Sequence, residues 1–376
     1  MDARWDSNID RLTERANRLL AERRVTEALE LHERAVALGL DPLANGGERW
    51  MAAMLLGDFA RAWAVGDLVL RRSTPEDFDR RDRPFHRRHV WNGTPPEGRR
   101  VLVRCYHGLG DILHMMRYLP LLAERAGGVV VQAPEAVHAL LAALPGVDAV
   151  LPLSDELDVP HDVAVELMEL PHAFRTTLET IPAAVPYVTV EPARVAAQAA
   201  RLRRAGRLAV GIAWAAGAWD GGKRSIPAAA LERLAAVPGV DWVCLQRGPA
   251  LAAGCGLPFC DAGPRGDDVL DTAAMIRALD LVVSVDTVVA HLAGALGAPV
   301  WTLLRFAADW RWMIGRDDSP WYPTMRLFRQ ERDGDWTAPL ETVVEALERW
   351  AALRLAQPDG PTSDVTPPRS AAPPWR

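Results

Sequence analysis

The sequence predicts an α/β chain in which two parallel-sheet units follow one another behind a small all-helical region. Three observations carry this reading. From residue 100 onward, short β-branched runs alternate with helical stretches; a proline-marked break, IPAAVPYVTVEP, divides those runs into two series; and the first 75 residues carry no such runs. Buried parallel strands read as continuous apolar runs because helices cover both faces of the sheet.

In the helical region, Ile9, Leu12, Ala16, Leu19 and Leu20, then Ala28, Leu29, Leu31, Ala35 and Leu38, recur at three- and four-residue spacing. Val25 aligns with Phe59, Ala28 with Ala62, Leu29 with Trp63, Leu31 with Val65 and Ala35 with Val69, each offset by 34 residues, and the two blocks end near Pro42 and Pro75. That offset is the period of tetratricopeptide helix pairs. Ordinary amphipathic helices in chance alignment remain the alternative. Two units are fewer than the roughly three needed to stand alone, so they are expected to pack on the rest of the chain or on a partner.

Residues 71–100 are polar and Arg-rich, which reads as a solvated linker or as a surface for an anionic acceptor or lipid headgroup. The first series of predicted strands is VLVRC (101–105), VVVQA (129–133), VDAVLPL (147–153) and VAVEL (163–167), with helices near 111–125 and 135–143. LAVGIAW (208–214), DWVCLQ (241–246), LDLVVSVD (279–286) and APVWTLL (298–304) form the second. One last amphipathic helix is expected over 337–355, and the Pro-rich tail beyond it reads as disordered.

Composition narrows the function. The chain has 376 residues, 49% hydrophobic and 24% charged, as an ordinary globular protein does. A net charge of −6 argues against nucleic acid as a partner. No apolar run approaches about 18 residues, so no transmembrane segment is expected. The N-terminus lacks the apolar stretch of a secretory signal, which makes the cytoplasm the expected location, including a peripheral position at the inner membrane. Cys105, Cys244, Cys255 and Cys260 show no metal spacing and read as reduced, buried residues. Of the 43 basic residues only Lys223 is a lysine.

Three motifs carry the candidate chemistry. Gly108-Leu109-Gly110-Asp111 follows the first strand, a glycine turn that opens a helix toward the carboxyl edge of its sheet. Leu113 stands where a dinucleotide fingerprint needs its third glycine, which disfavours nicotinamide or flavin. Asp111 reads either as a general base or as the cap of its helix, and His114 as a packing or hydrogen-bonding residue. The second motif, Gly217 to Ser225, nearly matches a P-loop, but Arg224 occupies the place of the magnesium-binding hydroxyl. It presents Lys223, Arg224 and the Ser225 hydroxyl to a diphosphate, or else Lys223 is an ordinary exposed lysine. In the third, Asp286 or Thr287 caps a helix whose N–H groups face phosphate or ribose oxygens; His291 lies one turn on, as a pocket or a core residue.

Two further features have plainer readings. Asp333-Gly334-Asp335 has the form of a metal-binding acidic pair but reads as a turn. Trp301, Trp310, Trp312, Trp321 and Tyr322 could stack on a base or sugar, with packing the favoured reading.

In this order, GLGDILHMMRYLP, GIAWAAGAWDGGKRSIP, the segment from DVLDTAAMIRALD to APVWTLL, and DWRWMIGRDDSPWYPTMRLFRQ resemble glycosyltransferase family 9, the bacterial heptosyltransferases of lipopolysaccharide core. Closer still is the branch with tetratricopeptide repeats ahead of the transferase region. The resemblance covers roughly residues 88–350. It implies two Rossmann-like domains of GT-B type that transfer a sugar, such as a heptose, with inversion and without a metal or other cofactor, the nucleotide diphosphate sugar being a co-substrate. It further implies Asp111 as the base, Gly108 and Gly110 in the site, Lys223, Arg224 and Ser225 at the diphosphate, and Asp286, Thr287 and His291 around the nucleotide. The acceptor would be a glycan, lipid-linked or protein hydroxyl, and the helical repeats could hold a protein partner. The segments expected are a helical region 1–75, a linker 76–99, an acceptor domain 100–190, a nucleotide-sugar domain 191–336, a helix 337–356 and a disordered tail 357–376. The rival is a non-catalytic nucleotide-binding or helical-repeat scaffold; a nucleotide-sugar epimerase is a third reading.

Overall fold

The computed structural model describes residues 3–217, 220–261 and 268–356; the tail expected over 357–376 lies outside them. Three- and four-residue apolar spacing produces four helices, α1 (Ala3–Ala21), α2 (Val25–Ala37), α3 (Gly46–Leu56) and α4 (Phe59–Arg72), each packed on the next. The 34-residue offset sets Val25 and Phe59 at the first residues of α2 and α4. Both are buried, as are the pairs Ala28 and Ala62, and Leu29 and Trp63. Gly57, at φ 74°, ends α3 in the left-handed conformation that glycine adopts without steric cost. The Asp58 carboxylate accepts from the Arg61 N–H and starts α4 one residue later.

Eight of the ten strands fall where the apolar runs predict them. β1 (Arg100–Arg104), β2 (Gly128–Ala133), β3 (Ala149–Pro152) and β4 (Val163–Glu166) form a parallel sheet in the order β3-β2-β1-β4. A six-stranded parallel sheet, in the order β10-β9-β8-β5-β6-β7, contains β5 (Leu208–Ala213), β6 (Val240–Cys244), β7 (Phe259–Asp261), β8 (Leu281–Val285), β9 (Val300–Leu304) and β10 (Met325–Arg329). The edge strands β7 and β10 are the two that the apolar runs did not indicate. Every residue of β5, β6, β8 and β9 is buried, as helical cover on both faces requires.

One apolar cluster runs from the helical region through the small sheet to the near face of the large one. A second fills the far face of the large sheet beneath the helix Thr337–Ala356. Where the two halves meet, the helix Leu109–Met115 that follows β1 packs against the helix Val288–Ala295 that follows β8. The carboxyl edges of both sheets therefore open onto a common space. The helical region bridges them: Trp63 Nε1 donates to the Thr176 carbonyl at 2.7 Å, and Ile314 N–H to the Leu55 carbonyl at 3.0 Å.

The Arg-rich connector is not simply a solvated linker. Arg88 is buried, its guanidinium paired with both Asp155 oxygens at 2.7 and 3.0 Å and lying over the Phe85 ring, which stacks on Tyr106. The Glu169 carboxylate accepts from the Trp91 N–H at 2.8 Å and fixes the far end. No helix among the described residues is long and apolar enough to cross a membrane.

Candidate functional site

The space between the sheet edges is a cavity of about 1570 Å³ walled by the helical region, the connector and both sheet-bearing halves. Tyr106, His107, Gly108, Asp111 and Glu166 come from the small sheet, Arg224, Asp286, Arg305 and Asp309 to Arg311 from the large one, and Trp50, Met51, Val69 and Leu70 from α3 and α4.

Asp111 sits in the first turn of its helix, so its carboxylate reaches back to the Gly108 N–H at 3.1 Å, the capping reading. Its other oxygen accepts from Arg311 Nη2 at 2.5 Å. Arg311 is buried, lies 3.3 Å from the Asp309 carboxylate and is held firmly charged, the nearby carboxylates outweighing the effect of burial. The structure thus joins Asp111 of the small half to Arg311 of the large half in one ion pair across the interface.

The glycines serve space rather than backbone torsion. Neither Gly108 nor Gly110 has a positive φ. A Cβ on Gly110 would come within 2.9 Å of His291 Cδ2 and 3.7 Å of the Val288 Cα, so this position lets the two helices approach.

In the glycine loop the cation turned toward the cavity is Arg224. It donates to the Asp286 carbonyl at 2.9 Å and pairs with Asp220 at 3.2 Å, beside Arg305 at 3.8 Å from the same carboxylate. Lys223 is exposed and is not among the residues lining the cavity. The Ser225 hydroxyl accepts from the Ala216 N–H at 3.1 Å and braces the loop.

At the third motif Thr287 is the cap, its hydroxyl accepting from the Val289 N–H at 3.1 Å. Asp286 faces the cavity although only 6% exposed. Burial would raise its pKa, but the His291 ring 3.6 Å away, Arg311 and Trp312 reverse this and bring it to about 2. His291 is a buried residue whose Nδ1 bonds the Tyr322 hydroxyl at 2.9 Å and whose Nε2 lies 3.6 Å from Asp286; burial lowers its pKa. It orients Asp286 from behind rather than lining the cavity.

The aromatic residues mainly pack: Trp301, Trp312, Trp321 and Tyr322 are fully buried, Trp301 in the far cluster, and Trp310 alone of the five lines the cavity, edge-on to Trp50 at 5.6 Å. The Asp333-Gly334-Asp335 stretch is a turn, with Gly334 at φ 80° and the Asp335 carboxylate accepting from the Thr337 N–H. His107, Glu166, Arg305 and Arg311 are site residues that the motifs did not single out. Their sequence signals are an acid at the end of an apolar strand, a His just before the glycine turn and Arg311 within DWRWMIGRDD.

Two parallel α/β units with opposed carboxyl edges define the GT-B class of fold. A glycosyltransferase family 9 protein from Veillonella parvula has this arrangement, with a TM-score of 0.51 at 12% identity, over 69% of this chain and 99% of that one. The ADP-heptose lps heptosyltransferase II of E. coli aligns at TM-score 0.46 and 18% identity, over 68% and 99%. Protein FlbA of Caulobacter vibrioides is 27% identical over 293 residues, 70% of this chain and 48% of that protein. The chain spans about half the length of this curated relative. No protein-family model matches it.

Proposed function

We propose that the protein is a glycosyltransferase that moves a sugar from a nucleotide diphosphate donor to a hydroxyl acceptor, with inversion and without a catalytic metal. The observation that carries this reading is the convergence, in one cavity between opposed sheet edges, of an acidic group from one half and paired cations from the other. The donor lies against the large half. Arg224 and Arg305 face its diphosphate, with Lys223 and Ser225 on the same loop, and two guanidinium groups supply the neutralisation a metal gives elsewhere. The nucleotide rests near Asp286, Thr287 and the following helix end, with His291 behind. The acceptor comes from the side of Gly108, Gly110 and Asp111.

In direct displacement the acceptor oxygen attacks the anomeric carbon as the bond to the diphosphate breaks, and a base on the acceptor side takes the proton. The likeness of the motifs to those of family 9 heptosyltransferases makes ADP-heptose the first donor to try. A glycan, lipid-linked or protein acceptor, a cytoplasmic location extending to the inner-membrane face, and a protein partner for α1–α4 belong to this proposal. So does the division of the chain into acceptor and donor domains near residue 190.

Calorimetric titration with ADP, GDP, UDP and CDP in excess EDTA tests it. One nucleotide should bind, Arg224→Ala should weaken it at least tenfold, and Lys223→Ala should have the smaller effect. Failure of all four nucleotides on folded protein moves the scaffold reading ahead.

A further inference from the structure

The turn between α1 and α2 reaches across to the large half. Arg23, in that turn, stands at φ 63°, in the left-handed region that glycine usually occupies. Its side chain crosses to the loop that follows β9: Nε donates to the Phe306 carbonyl at 3.3 Å, and Nη2 donates to the Ala308 carbonyl. Burial and the neighbouring Arg305 both lower the Arg23 pKa, with Asp309 acting against them. A cation on a strained backbone, partly out of water and beside a like charge, is unfavourable on three counts. The two carbonyl bonds are what the structure sets against them.

The loop so held carries site residues. Arg305 opens it, 3.8 Å from the Asp220 carboxylate that pairs with Arg224. Asp309 and Arg311 close it, Arg311 reaching Asp111 at 2.5 Å. Residues 305–309 lie outside helix and strand, and no backbone N–H among the described residues bonds the Phe306 or Ala308 carbonyl. Arg23 therefore supplies the donors that a ladder would supply elsewhere. At the far end of the loop, Trp50 meets Trp310 and the Leu55 carbonyl accepts from the Ile314 N–H, so α3 holds the other side. Met313, between those two contacts, is also left-handed, at φ 51°. Two of the four non-glycine residues with positive φ among the described residues thus bear on this one segment.

We propose that Arg23 is a positioning residue of the donor site: from the helical region it fixes the loop 305–309 and so sets Arg305 against the diphosphate. The proposal rests on the glycosyl-transfer reading and makes the helices part of the site's machinery as well as its wall.

Two full-length variants separate positioning from stability. Arg23→Gly removes the guanidinium but relieves the backbone, so it should melt close to the wild type. Arg23→Lys keeps a cationic donor that can serve the two carbonyls. Hydrogen exchange of the free protein, read by mass spectrometry, should be about tenfold faster over 305–314 in Arg23→Gly, with β5 and β9 unchanged. In calorimetric titrations with ADP, GDP, UDP and CDP, the nucleotide that the wild type binds should be held about tenfold more weakly by Arg23→Gly and within about threefold of wild type by Arg23→Lys. Because Arg23 also lines the cavity, weaker binding with unchanged exchange would make it a direct ligand and overturn the positioning role. Faster exchange with binding kept would assign Arg23 to stability alone and overturn it equally. The transfer reading survives both of those results. A folded wild type that binds none of the four nucleotides removes that reading and this role with it.

Discussion

His114 is the one titratable side chain at the interface that is wholly buried and makes no hydrogen bond among the described residues. Both ring nitrogens lack a partner, and the ring lies between His291 at 5.4 Å and Trp321 at 4.6 Å. Burial, with the nearby Arg117 and Arg311, holds its pKa well below 6.5. A folded-state pKa below the unfolded value means the associated stability is full above about pH 6.5 and is lost as pH falls toward the folded value. His114→Phe keeps the ring contacts and removes two unsatisfied nitrogens. We expect it to stabilise by about 1–2 kcal/mol at pH 7 and to flatten the loss on acidification; urea titrations between pH 7 and 5 check both. The sequence read His114 as a packing or a hydrogen-bonding residue, and the structure shows the packing alone. The Arg311 pairing was not legible in the same way, since 200 residues separate the partners and only the docking of the two halves brings them together.

At the scale of elements, the contact between the helices Leu109–Met115 and Val288–Ala295 depends on Gly110. A methyl group there meets the His291 ring, which cannot swing aside because Tyr322 holds its Nδ1. Gly110→Ala should therefore cost about 1–2 kcal/mol despite the better helix propensity of alanine, and weaken nucleotide binding through Asp286; thermal unfolding and calorimetry read the two effects. Buried strands were legible because runs such as LAVGIA admit no polar residue. β7 was not, being a three-residue, half-buried edge, and β10 alternates Arg326 and Arg329 with Met325, Leu327 and Phe328 after an irregular Trp-rich stretch. The connector misled for a related reason. Its arginines carry the polarity of a solvated linker, and only the partner Asp155, far along the chain, turns Arg88 into an anchor.

At the scale of the whole molecule, the four N-terminal helices are part of the same folded body as the two sheets. Phe59 contacts Trp321 at 6.0 Å, Arg23 donates to the carbonyls of Phe306 and Ala308, and Trp63 is bonded to Thr176. Deleting residues 1–75 uncovers this apolar surface on both halves. The remainder should aggregate or melt at a markedly lower temperature, and the intact chain should unfold in one calorimetric transition; a truncated chain as stable as the parent would contradict this. The helices were legible in the three- and four-residue apolar spacing, but their role as a cavity wall was not, because Trp50, Met51, Val69 and Leu70 are ordinary apolar residues until the fold sets them on the same cavity as Asp111.

The bridge made by Trp63 and Leu55 constrains traffic as well as shape. Two jaws joined by a third body cannot swing apart like the covers of a book without breaking the Thr176 and Ile314 hydrogen bonds. His86, Arg87 and His89 line the cavity and are exposed, so they stand where it meets solvent. For the proposed transfer, so confined a passage favours slender, flexible acceptors over bulky rigid ones, and departure of the spent nucleotide is the step expected to be slow.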